Sequence, residues 1–217
     1  MLGKFITFEG VDGSGKSCQA KALFETFKKN GIKAKLLREP GGTEFGEKIR
    51  NIILETKEIS SFTEVLLFFA ARNELWIKEI MPSLRSGEYV ICDRFYDSTL
   101  VYQGFLKNSD IEKIMLLKNL ILGSSEPDLT FIFDLKPETA IERVIKRKQE
   151  ISNTIADKFD SIDRCYYETV IDGYRRIADI FSFRTNVIKA NKPMHIIADQ
   201  IRQITAQKFN LNLKEKK

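Results

Sequence analysis

One stretch constrains this chain more than any other: Gly10-Val11-Asp12-Gly13-Ser14-Gly15-Lys16-Ser17. A glycine, four residues and then Gly-Lys-Ser is the pattern of a phosphate-cradling P-loop. Each part has a physical task. The glycines let the backbone curl so that its N–H groups face phosphate oxygens with no Cβ in the way. Lys16 reaches the outer phosphates of a nucleoside triphosphate, and the Ser17 hydroxyl ligates Mg²⁺. A helix starting near Ser17 aims its positive end at the same anion. The flanks agree, since Phe5-Ile6-Thr7-Phe8 reads as a buried strand. Beyond the loop, Ala20, Leu23, Phe24 and Phe27 recur at helical spacing. The loop and the residue after it, Gly10 to Cys18, form the expected nucleotide-binding segment.

Composition narrows the class. A chain of 217 residues buries one sizeable core, and 35 basic against 30 acidic side chains give a net charge of +5. That balance suits polyanionic ligands, without a basic run that would serve as a nucleic-acid arm. Cys18, Cys92 and Cys165 are scattered, with no metal-ligand spacing, which argues against a disulfide framework or a zinc site and for a reducing cytoplasm. The single histidine, His195, rules out histidine triads and multi-histidine metal sites. No apolar run is long enough to span a membrane, and no signal peptide is read at Met1.

Strands and helices alternate along the rest of the chain. Gly31 is placed to end the first helix, and Ala34 to Leu37 reads as a strand running into Arg38-Glu39-Pro40-Gly41-Gly42-Thr43. That turn falls at a strand's carboxyl end, where open α/β sheets bind ligands. Phe45, Ile49, Ile52 and Ile53 mark the next helix. From Phe62 to Leu84 the pattern changes, because Val65 to Ala71 leaves no polar face, and this predicts a largely buried helix. Arg72 follows that run and needs a partner, either a ligand phosphate or an acid such as Glu39. A strand over Glu88–Cys92 delivers Asp93-Arg94 to the same sheet edge, where the acid suits Mg²⁺ held through water and the arginine suits a phosphate. Ser98, Thr99, Tyr102 and Gln103 then offer a hydrogen-bonding helix face for a base or sugar.

Farther on, Ser109-x-x-Glu112 reads as a capping box for a helix ending near Gly123, and Leu129 to Phe133 as the fourth strand. Pro137 opens a helix carrying Arg143, Arg147 and Lys148. Residues Gln149 to Asp157 lose periodicity and read as a lid, with the whole lid segment spanning about 143–160. A helix over Asp160–Phe181, a fifth strand over Asn186–Lys189 and a closing helix from Pro193 complete the chain. These elements predict an α/β fold of the P-loop NTPase type, in one domain over 1–217. Its five-stranded, mostly parallel sheet has helices on both faces.

The spacing resembles one family over nearly the whole chain, thymidylate kinase, among the P-loop nucleoside-monophosphate kinases. The residues that carry the resemblance are Phe8-Glu9-Gly10 leading into the loop, Arg38-Glu39-Pro40-Gly41-Gly42-Thr43, Leu67-Phe68-Phe69-Ala70-Ala71-Arg72, Asp93-Arg94-Phe95 and Ser98-Thr99-x-x-Tyr102-Gln103. It implies transfer of the ATP γ-phosphate to dTMP, with Mg²⁺, by a homodimer joined through apolar helices including Phe62–Leu84. Phe68 would stack on thymine, Arg72 would contact the base, and Gln103 or Thr99 its polar edge, with Glu39, Pro40 and Ser98 in the same substrate site. Arg94 would bind the dTMP phosphate. Tyr102 would crowd the sugar 2′ position, and Asp12 would sit near the 3′-hydroxyl and the acceptor phosphate. Some members carry an arginine directly after the loop acid; here that position is Gly13. The resemblance therefore points to the bacterial type, in which lid arginines act, and Arg143 and Arg147 match, Arg143 on the nucleotide and Arg147 in catalysis. Departures are Asp157-Lys158-Phe159-Asp160 where the family has Asp-Arg-x-Glu, Phe95 for a tyrosine, and Cys18 for a frequent threonine. Rival readings are another P-loop nucleotide or deoxynucleoside kinase and, remotely, a basic nucleic-acid-binding module.

Overall fold

The computed structural model describes residues 3–56, 58–152 and 163–214. Strands β1 (Phe5–Gly10), β2 (Ala34–Arg38), β3 (Tyr89–Asp93), β4 (Leu129–Asp134) and β5 (Thr185–Lys189) form one sheet in the order β2-β3-β1-β4-β5. Every pairing is parallel, so the expected mostly parallel sheet is entirely so. Burial follows position. β1 and β4, in the middle, are buried almost throughout, whereas the edge strands β2 and β5 are only partly covered. That difference explains why Phe5–Phe8 and Leu129–Phe133 read as continuous apolar runs while β5 does not.

Alternation along the strands separates two helical layers. Helix α1 (Lys16–Lys29) and, later in the chain, α9 (Met194–Phe209) meet Tyr89 of β3 through Phe27 and Phe209, at 5.0 and 5.7 Å between ring centroids. On the other face Phe5 packs edge-on against Phe95 at 4.8 Å, and Glu9 meets Tyr174 of α8 (Arg164–Ile180). The remaining helices are α2 (Glu44–Glu55), α3 (Ser61–Leu75), α4 (Met81–Arg85), α5 (Tyr96–Thr99), α6 (Ile111–Leu122) and α7 (Pro137–Ser152). Among the described residues, no helix is long and apolar enough to cross a membrane.

Several boundaries differ from the sequence reading for identifiable reasons. The helix expected over Phe62–Leu84 is interrupted by a π-helical turn at Trp76–Ile80, just ahead of Pro82, which has no N–H to donate one turn back. It is also less buried than its pattern implies: Val65 and Phe69 are fully covered, but Phe62 and Leu66 are 39% and 45% exposed. On α2 only Ile49 of the four apolar positions is buried, with Phe45 and Ile52 exposed. The α6 cap is Asp110 rather than Ser109, its carboxylate accepting from the N–H groups of Glu112 and Lys113. Residues 149–152 continue α7 instead of leaving it. The rest of the expected lid through residue 160, with the Asp157-Lys158-Phe159-Asp160 departure, lies outside the described residues. Helix α8 starts at Arg164, with Asp163 as its cap accepting from Cys165 N–H at 2.9 Å. Gly31 ends α1 as expected, at φ +73°.

Candidate active site

The P-loop joins β1 to α1 through three glycines of positive φ: Gly10 at +147°, Gly13 at +84° and Gly15 at +90°. Gly10 and Gly13 have packing reasons beyond backbone freedom, a Cβ on Gly10 meeting Phe133 at 3.1 Å. A Cβ on Gly13 would lie 2.4 Å from the Ala140 carbonyl oxygen, so the loop rests directly on α7. Gly15 caps α1 with no side chain and open space beside it, leaving the helix's first N–H groups free for an anion. Val11 and Ser14 are buried, and the Ser14 hydroxyl has no hydrogen-bond partner; Ser17 and Cys18 are exposed on the first turn.

Lys16 is 5% exposed, and its Nζ lies 3.3 Å from Asp12 Oδ1. Burial, then the charge of Arg94, pulls its ammonium down to about 8, against Asp12 and Asp93. Asp12 moves the other way. Burial pushes its carboxyl up, but Arg94 and Lys16 overcome this and hold it at about 2.

Arg94 sits where β3 ends beside β1, since Phe8 is in register with Asp93. Its backbone occupies the left-handed region at φ +70°, a conformation costing a non-glycine residue about 1–2 kcal/mol. A dense set of contacts sustains it. Its N–H donates to the Phe8 carbonyl at 2.9 Å, Nη2 to Asp12 Oδ1 at 2.7 Å, and Nη1 to Tyr174 Oη at 3.0 Å and Ser98 Oγ at 3.1 Å. Tyr102 lies under the guanidinium, its ring centroid 5.1 Å away. Beneath this group Glu9, fully buried, accepts from the Phe95 N–H and from Ser98 Oγ, each at 2.6 Å. Burial, helped by the nearby charge of Asp97, raises Glu9 to about 8.

A cavity of about 380 Å³ opens beside Arg94. It gathers every residue expected at the substrate site: Asp12, Glu39, Pro40, Phe68, Arg72, Arg94, Ser98, Thr99, Tyr102 and Gln103. The partner of Arg72, left open by the sequence, is Glu39: Nε donates to Oε2 at 2.8 Å, and Nη2 lies 2.6 Å from the same oxygen. Nη2 also donates to Thr99 Oγ1 at 3.1 Å, while Nη1 is buried without a partner. Losing one member of such a buried pair strands the other, at a cost of about 3–5 kcal/mol.

Arg143 is tied to two backbone carbonyls, donating to Ala190 at 3.0 Å and to Gly13 at 3.4 Å. It thus clamps the P-loop to the segment after β5. Arg147, one turn farther along α7, is exposed and acts electrostatically on Tyr167. Three residues of this site carry no role in the sequence reading. Glu9 had a signal, an acid inside a buried apolar strand. Tyr174 and Glu64 had none, since each is one polar residue on an otherwise ordinary helix.

A parallel sheet of this order, with a phosphate loop at its central carboxyl edge and a cation-lined cavity alongside, defines a P-loop phosphotransferase of the nucleotide kinase class. A family model described as thymidylate kinase matches residues 8–201. The thymidylate kinase of Orientia tsutsugamushi (strain Ikeda) is 39% identical over 213 residues, covering 98% of this chain and 97% of that protein. That of Geobacillus sp. (strain WCH70) is 39% identical over 196 residues, covering 89% and 91%. Among solved structures, the thymidylate kinase of Ehrlichia chaffeensis matches with a TM-score of 0.75 at 33% identity, covering 94% of this chain and 99% of that one. The chain belongs to the thymidylate kinase family.

Proposed function

We propose that this protein transfers the γ-phosphoryl group of ATP to dTMP, giving dTDP and ADP. The observation that carries the reading is the continuity between loop and cavity. Lys16, on the loop, and Arg94, on the cavity wall, share one carboxylate oxygen of Asp12. A donor phosphate in the loop and an acceptor phosphate on Arg94 would therefore face each other. The reaction asks mainly for positioning and positive charge, which these side chains supply.

Residue roles follow from chemistry and place. Phe68 stacks on the thymine ring, Arg72, Thr99 and Gln103 meet its polar edge, and Tyr102 crowds the sugar 2′ position. Arg94 takes the dTMP phosphate, Asp12 aligns both cations, and Arg147 assists the moving phosphoryl group. The residues also fit Mg²⁺. Asp93 Oδ1 is buried without a partner, and the Ser17 hydroxyl is exposed at the start of α1. No group of three or more His, Cys, Asp or Glu side chains gathers among the described residues, which suits a cation that keeps its waters. Ser17 directly, and Asp93 through water, would hold it; when bound it neutralises charge on the triphosphate oxygens.

The exposed apolar side chains of α2, α3 and α6 (Ile52, Phe62, Leu66, Leu116 and Leu120) support a homodimer through these packed helices. Three free thiols support a cytoplasmic setting. The test is ADP release with dTMP, dUMP, UMP and thymidine. Expected is kcat/KM highest for dTMP, lower for dUMP by the worth of one buried methyl, about 1–3 kcal/mol, and lowest for UMP, with no turnover of thymidine. Equal kcat/KM for dTMP and UMP would overturn the reading.

A further inference from the structure

Glu64, in the first turn of α3, lies on the cavity wall with its side chain 12% exposed. Its Oε2 accepts from Gln103 Nε2 at 3.1 Å and from Lys107 Nζ at 2.7 Å. Gln103 is 4% exposed and faces the cavity from the π-helical turn Leu100–Leu106. The orientation of its amide is not arbitrary. A carboxylate paired with an ammonium only accepts, so the amide must turn its nitrogen toward Glu64. Its carbonyl oxygen, which accepts no hydrogen bond from the described residues, is then the group left for the cavity.

Arg72 lines the same cavity. Arg72 Nη1 is buried without a partner, and Arg72 is joined through Nη2 to Thr99, four residues before Gln103. A base edge that reaches the unpartnered Nη1 would therefore meet a donor beside the Gln103 acceptor. Thymine presents the complement, O4 beside N3–H. Cytosine presents the reverse, an amino group beside a bare N3, and would set N–H against N–H and lone pair against lone pair.

We infer that Glu64 is a positioning residue for base specificity: it locks the Gln103 amide so that the site reads thymine and rejects cytosine. The inference rests on the proposed placement of the thymine edge in this cavity. Glu64→Gln is the informative change, because an amide both donates and accepts and so permits Gln103 to turn over. Arg72, which cannot accept, retains part of the discrimination.

The experiment measures kcat and KM for dTMP and for 5-methyl-2′-deoxycytidine monophosphate, which keeps the methyl and changes only the ring edge. Four proteins are compared: wild type, Glu64→Gln, Gln103→Ala and the double variant. In Glu64→Gln the dTMP preference should fall about tenfold or more. The fall should come through KM, with kcat on dTMP kept within about threefold. In the Gln103→Ala background the same change should shift the preference by less than about twofold. An unchanged preference in Glu64→Gln overturns the inference, and so does an equal fall in the Gln103→Ala background. Glu64→Asp, which withdraws the carboxylate from Gln103, carries the same expectation if Glu64→Gln is not recovered folded. A wild-type protein inactive on dTMP would instead count against the proposed function itself.

Discussion

Arg94 Nη2 lies 2.7 Å from Asp12 Oδ1, and that oxygen also takes Lys16 Nζ at 3.3 Å. One acid from the loop thus holds two cations delivered by different elements, one from the end of β3 and one from α1. Without it they repel, and each relaxes away from the line of phosphoryl transfer. Asp12→Ala should therefore lower kcat by about 10²-fold, the usual penalty for misplacement on the ångström scale. Binding of dTMP, followed by equilibrium titration, should change little because Arg94 loses a competitor for phosphate. A kcat within threefold of wild type would contradict this.

Lys16 makes the pH dependence specific. Its ammonium, pulled from 10.5 to about 8 in the free protein, loses its proton as pH rises through that value. Above it, kcat/KM for ATP should fall about tenfold per pH unit, because this ratio reports the free enzyme. A bound triphosphate favours the charged form, so kcat should hold to higher pH. Lys16→Arg, whatever its residual activity, should lack the alkaline limb. A flat kcat/KM profile to pH 10 would sink the assignment.

Glu9 predicts a stability effect of definite sign. Its carboxyl is raised from 4.5 to about 8, so between those values the folded protein holds a proton that the unfolded chain releases. Wild-type stability from this group is complete below pH 4.5 and declines as pH rises toward 8. Glutamine mimics the protonated acid: its carbonyl can accept from the Phe95 N–H while its amino group faces Ser98 Oγ. Glu9→Gln should flatten the decline, read as the difference in Tm between pH 5 and pH 8. A wild type that gains stability over that interval relative to the variant would refute it.

What the sequence disclosed depended on how local the cause was. All five strands were legible, β1, β3 and β4 as the short apolar runs that buried parallel strands make, and the partly covered edge strands β2 and β5 from their place between helices. The P-loop was legible for a similar reason, as its conformation is written in glycines. Arg72 shows the limit: the chemistry demanded an anion, but choosing Glu39 required the fold to bring residues 33 positions apart together. Helix α3 misled in the other direction. Its apolar run predicts burial, yet Phe62 and Leu66 stay exposed, because an apolar run with no polar face does not say which of its sides the fold covers. The joining of Glu9, Ser98 and Tyr174 beneath Arg94 was not legible, being assembled from three distant segments.

Gly13 leaves the loop without an arginine of its own, and its contact with Ala140 shows why a side chain there would force α7 away. On the proposed roles, the further positive charge beyond Lys16 and Arg94 would come from α7, where Arg143 and Arg147 stand four residues apart on one face. The two are already differentiated. Arg143 spends its guanidinium on the carbonyls of Gly13 and Ala190, so Arg143→Ala should loosen the nucleotide cradle, lowering Tm and raising KM for ATP with a small effect on kcat. Arg147 is exposed on the next turn, and Arg147→Ala should lower kcat at saturating ATP and dTMP by about 10²-fold or more while leaving dTMP affinity nearly unchanged. Arg147→Lys should recover little, because an ammonium cannot bridge two phosphate oxygens as a planar guanidinium does. Circular dichroism on each variant separates folding from chemistry. If Arg147→Ala keeps the wild-type kcat while Lys158→Ala loses it, the acting cation lies beyond α7 and this register is wrong.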